Sequence, residues 1–276
     1  MALAQERDVD RLTPIGSHVP RQDPLQGAAD RGAEVIQVNL SAPRNWAPPV
    51  THGDEETLAN GALPIFVHAP YVVNPASSDP AVRRRSRACL EAESDAAARI
   101  GAVGLVVHGG HVGPGASLDE GIERWAHSLA GADLRCRILI ENTAGGTSAV
   151  ARTPVGTGQL IEALRQHGHD VGVVLDTCHA HAAGIDLHRV VDDLRSICGG
   201  IDLVHANDSR DPAGSGRDRH QHLGAGMVPP EDLIGIVDAA GAPVVVETPG
   251  GAQEQSADIR WLRRHLKQIR PSGLSG

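Results

Sequence analysis

The chain has 276 residues, is 41% hydrophobic but only 2% aromatic, and carries a formal net charge of −9. That length suits one α/β barrel with an aliphatic core, and the acidic balance speaks against a broad basic coat for non-specific nucleic-acid binding. No apolar run reaches the ~18 residues of a membrane span, and the single lysine, Lys267, sits near the C-terminus, which argues against Schiff-base catalysis from a barrel strand.

Residues 1–13 are polar, lack the apolar h-region of a signal peptide, and are expected to form a flexible extension. Residues 14–270 are expected to form a single domain, and residues 271–276 a flexible tail. The first apolar runs, "PIGSHV" (14–19) and "EVIQVNL" (34–40), are candidate strands. The stretch "APPVTHGDEETLANGAL" then has room for only a short helix. Six further runs follow: "PIFVH" ending at His68, "GLVVH" at His108, "RILIE" at Glu141, "GVVLD" at Asp176, "DLVH" at His205 and "PVVVE" at Glu247. All are short and β-branched, as parallel strands buried on both faces require. Helix candidates lie between and after them at 82–100, 117–130, 159–167, 186–197, 231–240 and 257–269, with Gly and Pro at the joins. Eight rounds of strand and helix predict a (β/α)8 TIM barrel. The four cysteines, Cys89, Cys136, Cys178 and Cys198, have no CxxC spacing and read as reduced thiols of a cytoplasmic protein.

In such a barrel the active site lies at the C-terminal ends of the strands. One histidine after a strand is ordinarily a hydrogen-bonded loop residue. Six strands in succession ending in His, His, Glu, Asp, His and Glu instead point to a metal site in one bowl. His179 follows Asp176 by three positions, which a turn can bring over the same face. Asp218 and His220 are two apart in a Gly-rich loop, where an extended backbone points both the same way. Nine candidate ligands result: His68, His108, Glu141, Asp176, His179, His205, Asp218, His220 and Glu247. A zinc ion takes about four ligands, so nine suit three ions with a bridging carboxylate. The His-rich set favours Zn2+, with Mn2+ or Fe2+ possible in part. Several divalent ions suit phosphodiester hydrolysis.

These residues resemble the endonuclease IV family of metal-dependent AP endonucleases. The matching motifs are "HAPYVVN", "VVHGGH", "IENTAGG", "LDTCHAHAAGIDL", "HANDSRDPAGSGRDRHQHLGAG" and "ETPG", spread over most of the chain. The resemblance implies a DNA-repair hydrolase that attacks the phosphate 5′ to an abasic site in double-stranded DNA, leaving a 3′-hydroxyl and a 5′-deoxyribose phosphate. It implies three zinc ions. His68, His108 and Glu141 would hold the first; Glu141, Asp176, His205 and Glu247 the second; His179, Asp218 and His220 the third. Glu141 and Glu247 are the expected catalytic carboxylates. Tyr71 and Val72 would enter the base stack, Arg44 would fill the gap, and Arg217 and Arg219, with Arg210 nearby, would meet phosphates. The "RRRSR" run at 83–87 reads as a solvated helix face, and His111, His181 and His222 as histidines outside the ligand set. Val72, Ala225 and His111 depart from the family pattern without touching an expected ligand. A cytoplasmic monomer associated with the nucleoid during repair is the default expectation. Two alternatives remain at this stage: a divalent-metal sugar isomerase or epimerase on the same barrel, and a non-catalytic lesion-binding protein.

Overall fold

Eight short strands close into a parallel barrel in the computed structural model, which describes residues 13–269. The tail expected at 271–276 lies outside the described residues, as does the expected extension apart from Thr13. The barrel strands are β1 (Ile15–His18), β2 (Ile36–Val38), β3 (Ile65–His68), β4 (Gly104–His108), β5 (Ile138–Glu141), β6 (Val171–Asp176), β7 (Leu203–His205) and β10 (Val244–Val246). Each pairs with its neighbours in chain order, and β1 pairs with β10 to close the ring, Gly16 opposite Val245. A two-stranded antiparallel pair, β8 (Asp208–Ser209) and β9 (His220–Gln221), follows β7.

Alternation along each strand splits the apolar residues into two layers. Val35, Phe66, Val106, Leu139, Val174, Leu203 and Val245 form a separate cluster inside the barrel. A larger core joins the outer strand faces to the helices and includes Ile36, Val67, Leu105, Val107, Ile140, Val173, Leu175 and Val204. The interior leaves little room near β1. A Cβ on Gly16 would meet the carbonyl oxygen of Val35 at 1.6 Å, so only glycine fits.

The helices are α1 (Pro24–Arg31), α2 (Glu55–Ala59), α3 (Pro80–Arg99), α4 (Leu118–Leu129), α5 (Pro154–Gln166), α6 (Thr177–Ala183), α7 (Val190–Cys198), α8 (Pro230–Ala240) and α9 (Ala252–Ile269). Helix α5 starts five residues before the expected 159, because Thr153 caps the Gly156 N–H and Pro154 pre-sets the first turn. Helix α7 starts later than the expected 186. Helix α1, capped by Asp23 with Pro24 at its start, and the short α6 were not expected as helices. Helix α4 carries the reciprocal Ser117–Glu120 capping box. No described helix is long and apolar enough to cross a membrane.

Candidate metal centre

The barrel interior presents the ligand candidates as a second layer. His68, His108, Glu141, Asp176, His205 and Glu247 each follow by two positions the inward apolar residues Phe66, Val106, Leu139, Val174, Leu203 and Val245. A period of two therefore places all six side chains above the interior core, at the strands' C-terminal ends. Helix α6 supplies a seventh. Asp176 is its N-cap and accepts the His179 N–H at 2.7 Å, which sets the His179 ring over the same bowl. The β8–β9 loop returns Asp218 and His220 to it.

All nine candidates converge. The ligating atoms of His68, His108 and Glu141 lie within 4.8 Å of one another, as do those of Glu141, Asp176, His205 and Glu247, and those of Asp176, His179 and His220. Asp218 joins the last set through His179 Nε2 at 3.2 Å and His220 Nε2 at 3.1 Å. Glu141 is shared by the first two groups: its Oε2 faces His68 Nε2 at 3.0 Å and His108 Nε2 at 3.1 Å, and its Oε1 faces His205 Nδ1 at 3.0 Å. Asp176 is shared by the second and third, which spacing along the chain did not indicate.

The surroundings orient the rings for a cation. His68 Nδ1 donates to the Ala69 carbonyl at 2.8 Å, His179 Nδ1 to the Asn142 carbonyl at 2.9 Å, and His220 Nδ1 to the Glu247 carbonyl at 3.3 Å. A carbonyl can only accept, so in each neutral ring Nε2 keeps its lone pair and points inward. At His205 the roles reverse. Gln37 Nε2 donates to Glu247 at 2.6 Å, so its Oε1 takes the proton on His205 Nε2 at 2.8 Å. His205 Nδ1 is then the inward lone pair. His179 Nε2 and His220 Nε2 are buried with no hydrogen-bond partner. Lone pairs aimed at carboxylates repel them; a divalent cation between them satisfies both, so these residues fit a metal centre.

The electrostatics of the metal-free chain agree. Burial, the largest influence on His68, works against its charge, yet the Glu141 hydrogen bond and charge lift its pKa to about 9. His220 likewise rises to about 9 against burial, through Asp218 and then Asp176 and Glu247. Burial opposes ionisation of Glu141, but His108 and His205 hold it well below the usual carboxylate range. Without a metal, protons take the cation's place.

The rim holds the remaining candidates. Arg44, Tyr71, Val72, Asp218 and His220 line one open hollow of about 550 Å³. Tyr71 is 57% exposed, with its ring centroid 5.0 Å from that of His108. Arg217 and Arg219 both pair with Asp211, the Arg219 Nε at 2.6 Å. Arg210 donates to the His220 carbonyl at 3.0 Å. In the "RRRSR" run, Arg83 binds the Ser77 carbonyl at 2.7 Å and Arg87 the Ala130 carbonyl at 2.9 Å, so the run is partly anchored rather than wholly solvated. His111 is exposed, His181 contacts the Asp211 carbonyl at 3.2 Å, and His222 pairs with Asp258 at 2.8 Å; none joins a ligand group.

Sequence reasoning missed the orienting residues. Besides Gln37, Asn207 donates to Asp176 Oδ2 at 2.7 Å and accepts the Glu247 N–H at 2.8 Å, and Asn142 accepts the Asp176 N–H at 2.7 Å. The signal was present. Gln37 interrupts an apolar strand, and Asn142 and Asn207 stand one and two residues beyond strands ending in a ligand candidate.

A barrel whose strand ends gather histidines and carboxylates at a candidate metal centre belongs to the metal-site class of TIM barrels. A family model described as a xylose isomerase-like TIM barrel matches residues 25–265. The chain is 48% identical over 252 residues to a probable endonuclease 4 of Mycobacterium marinum, covering 91% of this chain and 98% of that protein. The crystal structure of endonuclease IV from Thermus thermophilus superposes with a TM-score of 0.79 at 29% identity, covering 92% and 99% of the two chains. A D-tagatose 3-epimerase-like protein superposes with a TM-score of 0.74 at 18% identity, covering 92% and 98%, a likeness of fold alone. The chain belongs to the endonuclease IV family.

Proposed function

We propose that this chain hydrolyses the phosphodiester bond 5′ to abasic sites in double-stranded DNA, leaving a 3′-hydroxyl and a 5′-deoxyribose phosphate. It acts as a cytoplasmic monomer that associates with the nucleoid during repair, with residues 14–270 as the catalytic domain. Three Zn2+ ions serve it, with Mn2+ or Fe2+ possible in part. His68, His108 and Glu141 hold the first; Glu141, Asp176, His205 and Glu247 the second; His179, Asp218 and His220, with Asp176 alongside, the third. Bound there, divalent ions supply Lewis acidity, absorbing charge at phosphorus and lowering the pKa of water.

The chain's own groups do the rest. Glu141 spans two ligand groups and fixes their separation. Gln37 and Asn207 hold Glu247, a catalytic carboxylate facing the bowl, through its side chain and its N–H. Tyr71 and Val72 enter the base stack beside an extruded abasic nucleotide, Arg44 fills the gap, and Arg217 and Arg219 meet phosphates. Three divalent ions contribute about six positive charges, which offsets the acidic chain where DNA must bind.

The observation that carries this reading is the shared hollow. Its walls combine two ligand candidates, Asp218 and His220, with Arg44, Tyr71 and Val72. A sugar isomerase uses Glu141, Asp176, His205 and Glu247 but leaves His179, Asp218 and His220 idle. The test is incision of a duplex with one abasic site by protein as purified, stripped by chelator, and stripped then given zinc, with metal counted in parallel. Cleavage 5′ to the lesion that tracks about three metals per chain is expected. No cleavage with one or two metals bound overturns the proposal and makes sugar isomerisation the next assay. Metal binding without turnover leaves lesion binding as the function.

A further inference from the structure

We infer that His127 on α4 and His167 at the end of α5 chelate one imidazole-preferring divalent ion, Cu2+ foremost, at the end of the barrel opposite the candidate metal centre. Helices α4 and α5 pack side by side, and barrel helices run back from the strands' C-terminal ends, so their own C-termini meet at the far end. His127 lies in the last turn of α4, and His167 is the C-cap of α5. Both are exposed, with ring centroids 6.3 Å apart and ring planes at 55°. Neither belongs to the ligand groups at the strand ends.

Both rings are held in the same state. His127 Nδ1 meets the Glu123 carbonyl at 2.8 Å, and His167 Nδ1 meets the Ala163 carbonyl at 2.9 Å. A carbonyl can only accept, so each Nδ1 donates and each neutral ring keeps its lone pair on Nε2. Neither Nε2 meets a hydrogen-bond or ion-pair partner among the described residues. A third histidine fixes the spacing of the two helix ends. His169 donates through Nε2 to the Leu129 carbonyl at 2.9 Å, tying the segment after α5 to the last residue of α4. Two imidazoles side by side on one ion, each nitrogen ~2.0–2.1 Å from it, set their centroids about 5 Å apart. Rotation of two exposed side chains by about 1 Å therefore brings both nitrogens onto one ion. The last carbonyls of both helices give that spot a partial negative charge. Imidazole suits zinc, nickel and copper, with affinity rising to Cu2+. The candidate centre also presents carboxylates, whereas this pair presents nitrogen alone, and water fills the remaining positions.

The experiment adds copper(II) chloride to the zinc-loaded full chain at neutral pH, counts bound copper and zinc, and records the electron paramagnetic resonance spectrum of the copper. His127→Ala, His167→Ala and the double variant are compared with His188→Ala, which removes an exposed histidine elsewhere. One copper per chain beyond the zinc complement, with two ring nitrogens in its spectrum, is expected in the parent and in His188→Ala. Each single variant should weaken copper binding about a hundredfold. The double variant should weaken it no further, because either loss already leaves a lone ligand. Equal copper affinity in the parent and both single variants overturns the inference. So do losses that add in the double variant, or copper that enters only as zinc leaves. Incision plays no part in these readouts, which therefore report independently of the activity proposed above.

Discussion

The backbone N–H of Tyr71 donates to the carbonyl oxygen of Pro43 at 2.8 Å, tying the segment after β3 to the segment after β2. Arg44 and Tyr71 thus sit on one rim of the same hollow. Tyr71→Ala should weaken binding of an abasic duplex by about 1–3 kcal/mol with little change in salt dependence, since it removes stacking surface. Arg44→Ala should instead lower the slope of log K against log salt by about 1, since it removes one cation. Fluorescence anisotropy of the metal-loaded protein on a duplex with a cleavage-resistant abasic analogue, at several salt concentrations, separates the two.

The two oxygens of Glu141 face four histidines, His68, His108, His179 and His205, whereas Asp218 faces two, His179 and His220. Glu141→Gln should therefore deplete the first two positions and cut incision by about a thousandfold. Asp218→Asn should deplete the third alone. Elemental analysis checks this: Asp218→Asn retaining three ions, or Glu141→Gln losing none, contradicts the assignment.

Metal affinity should rise with pH. His68 and His220 have pKa values raised to about 9 in the metal-free chain, by Glu141 and by Asp218 against the cost of burial. At pH 7 both are protonated, and a metal must displace those protons. Binding therefore releases protons at pH 7 and strengthens until about pH 9, beyond which these two histidines add no further dependence. Calorimetric titration with zinc in two buffers of different ionisation enthalpy measures the release; buffer-independent heats would contradict it.

Trp125 on α4 is fully buried and its Nε1 donates at 2.8 Å to the carbonyl of Gly109, the residue after His108. Trp125→Ala should cost about 3–5 kcal/mol of stability by leaving a cavity. Trp125→Phe should cost about 1–3 kcal/mol by stranding the carbonyl. Denaturant unfolding of stripped protein gives both values, and near-equal stability of the two variants would mean that the hydrogen bond, not the packing, dominates.

Much of the fold could be read locally because each barrel strand is a short apolar run bounded by Gly, Pro or a polar residue. Less legible were α1, α6 and the start of α5, where capping by Asp23, Asp176 and Thr153 outweighed weak apolar periodicity. Spacing alone ties Asp176 to one ion, because its link to His179 is local, while its approach to His205 and His220 depends on β7 and on the β8–β9 return.

What the sequence determined by itself was the ring of strand-end residues, from His68 to Glu247, since alternation with period two puts each above an inward apolar neighbour whatever the other strands do. Only the tertiary structure decided which residues are shared. Closing the barrel carries Glu141 to His68, His108 and His205, brings Gln37 across to Glu247 and His205, and folds Asp218 and His220 back over α6 beside Cys178. Those contacts join residues tens to hundreds of positions apart. No local pattern encodes them; they follow from barrel closure and register, which the packing of the whole chain sets.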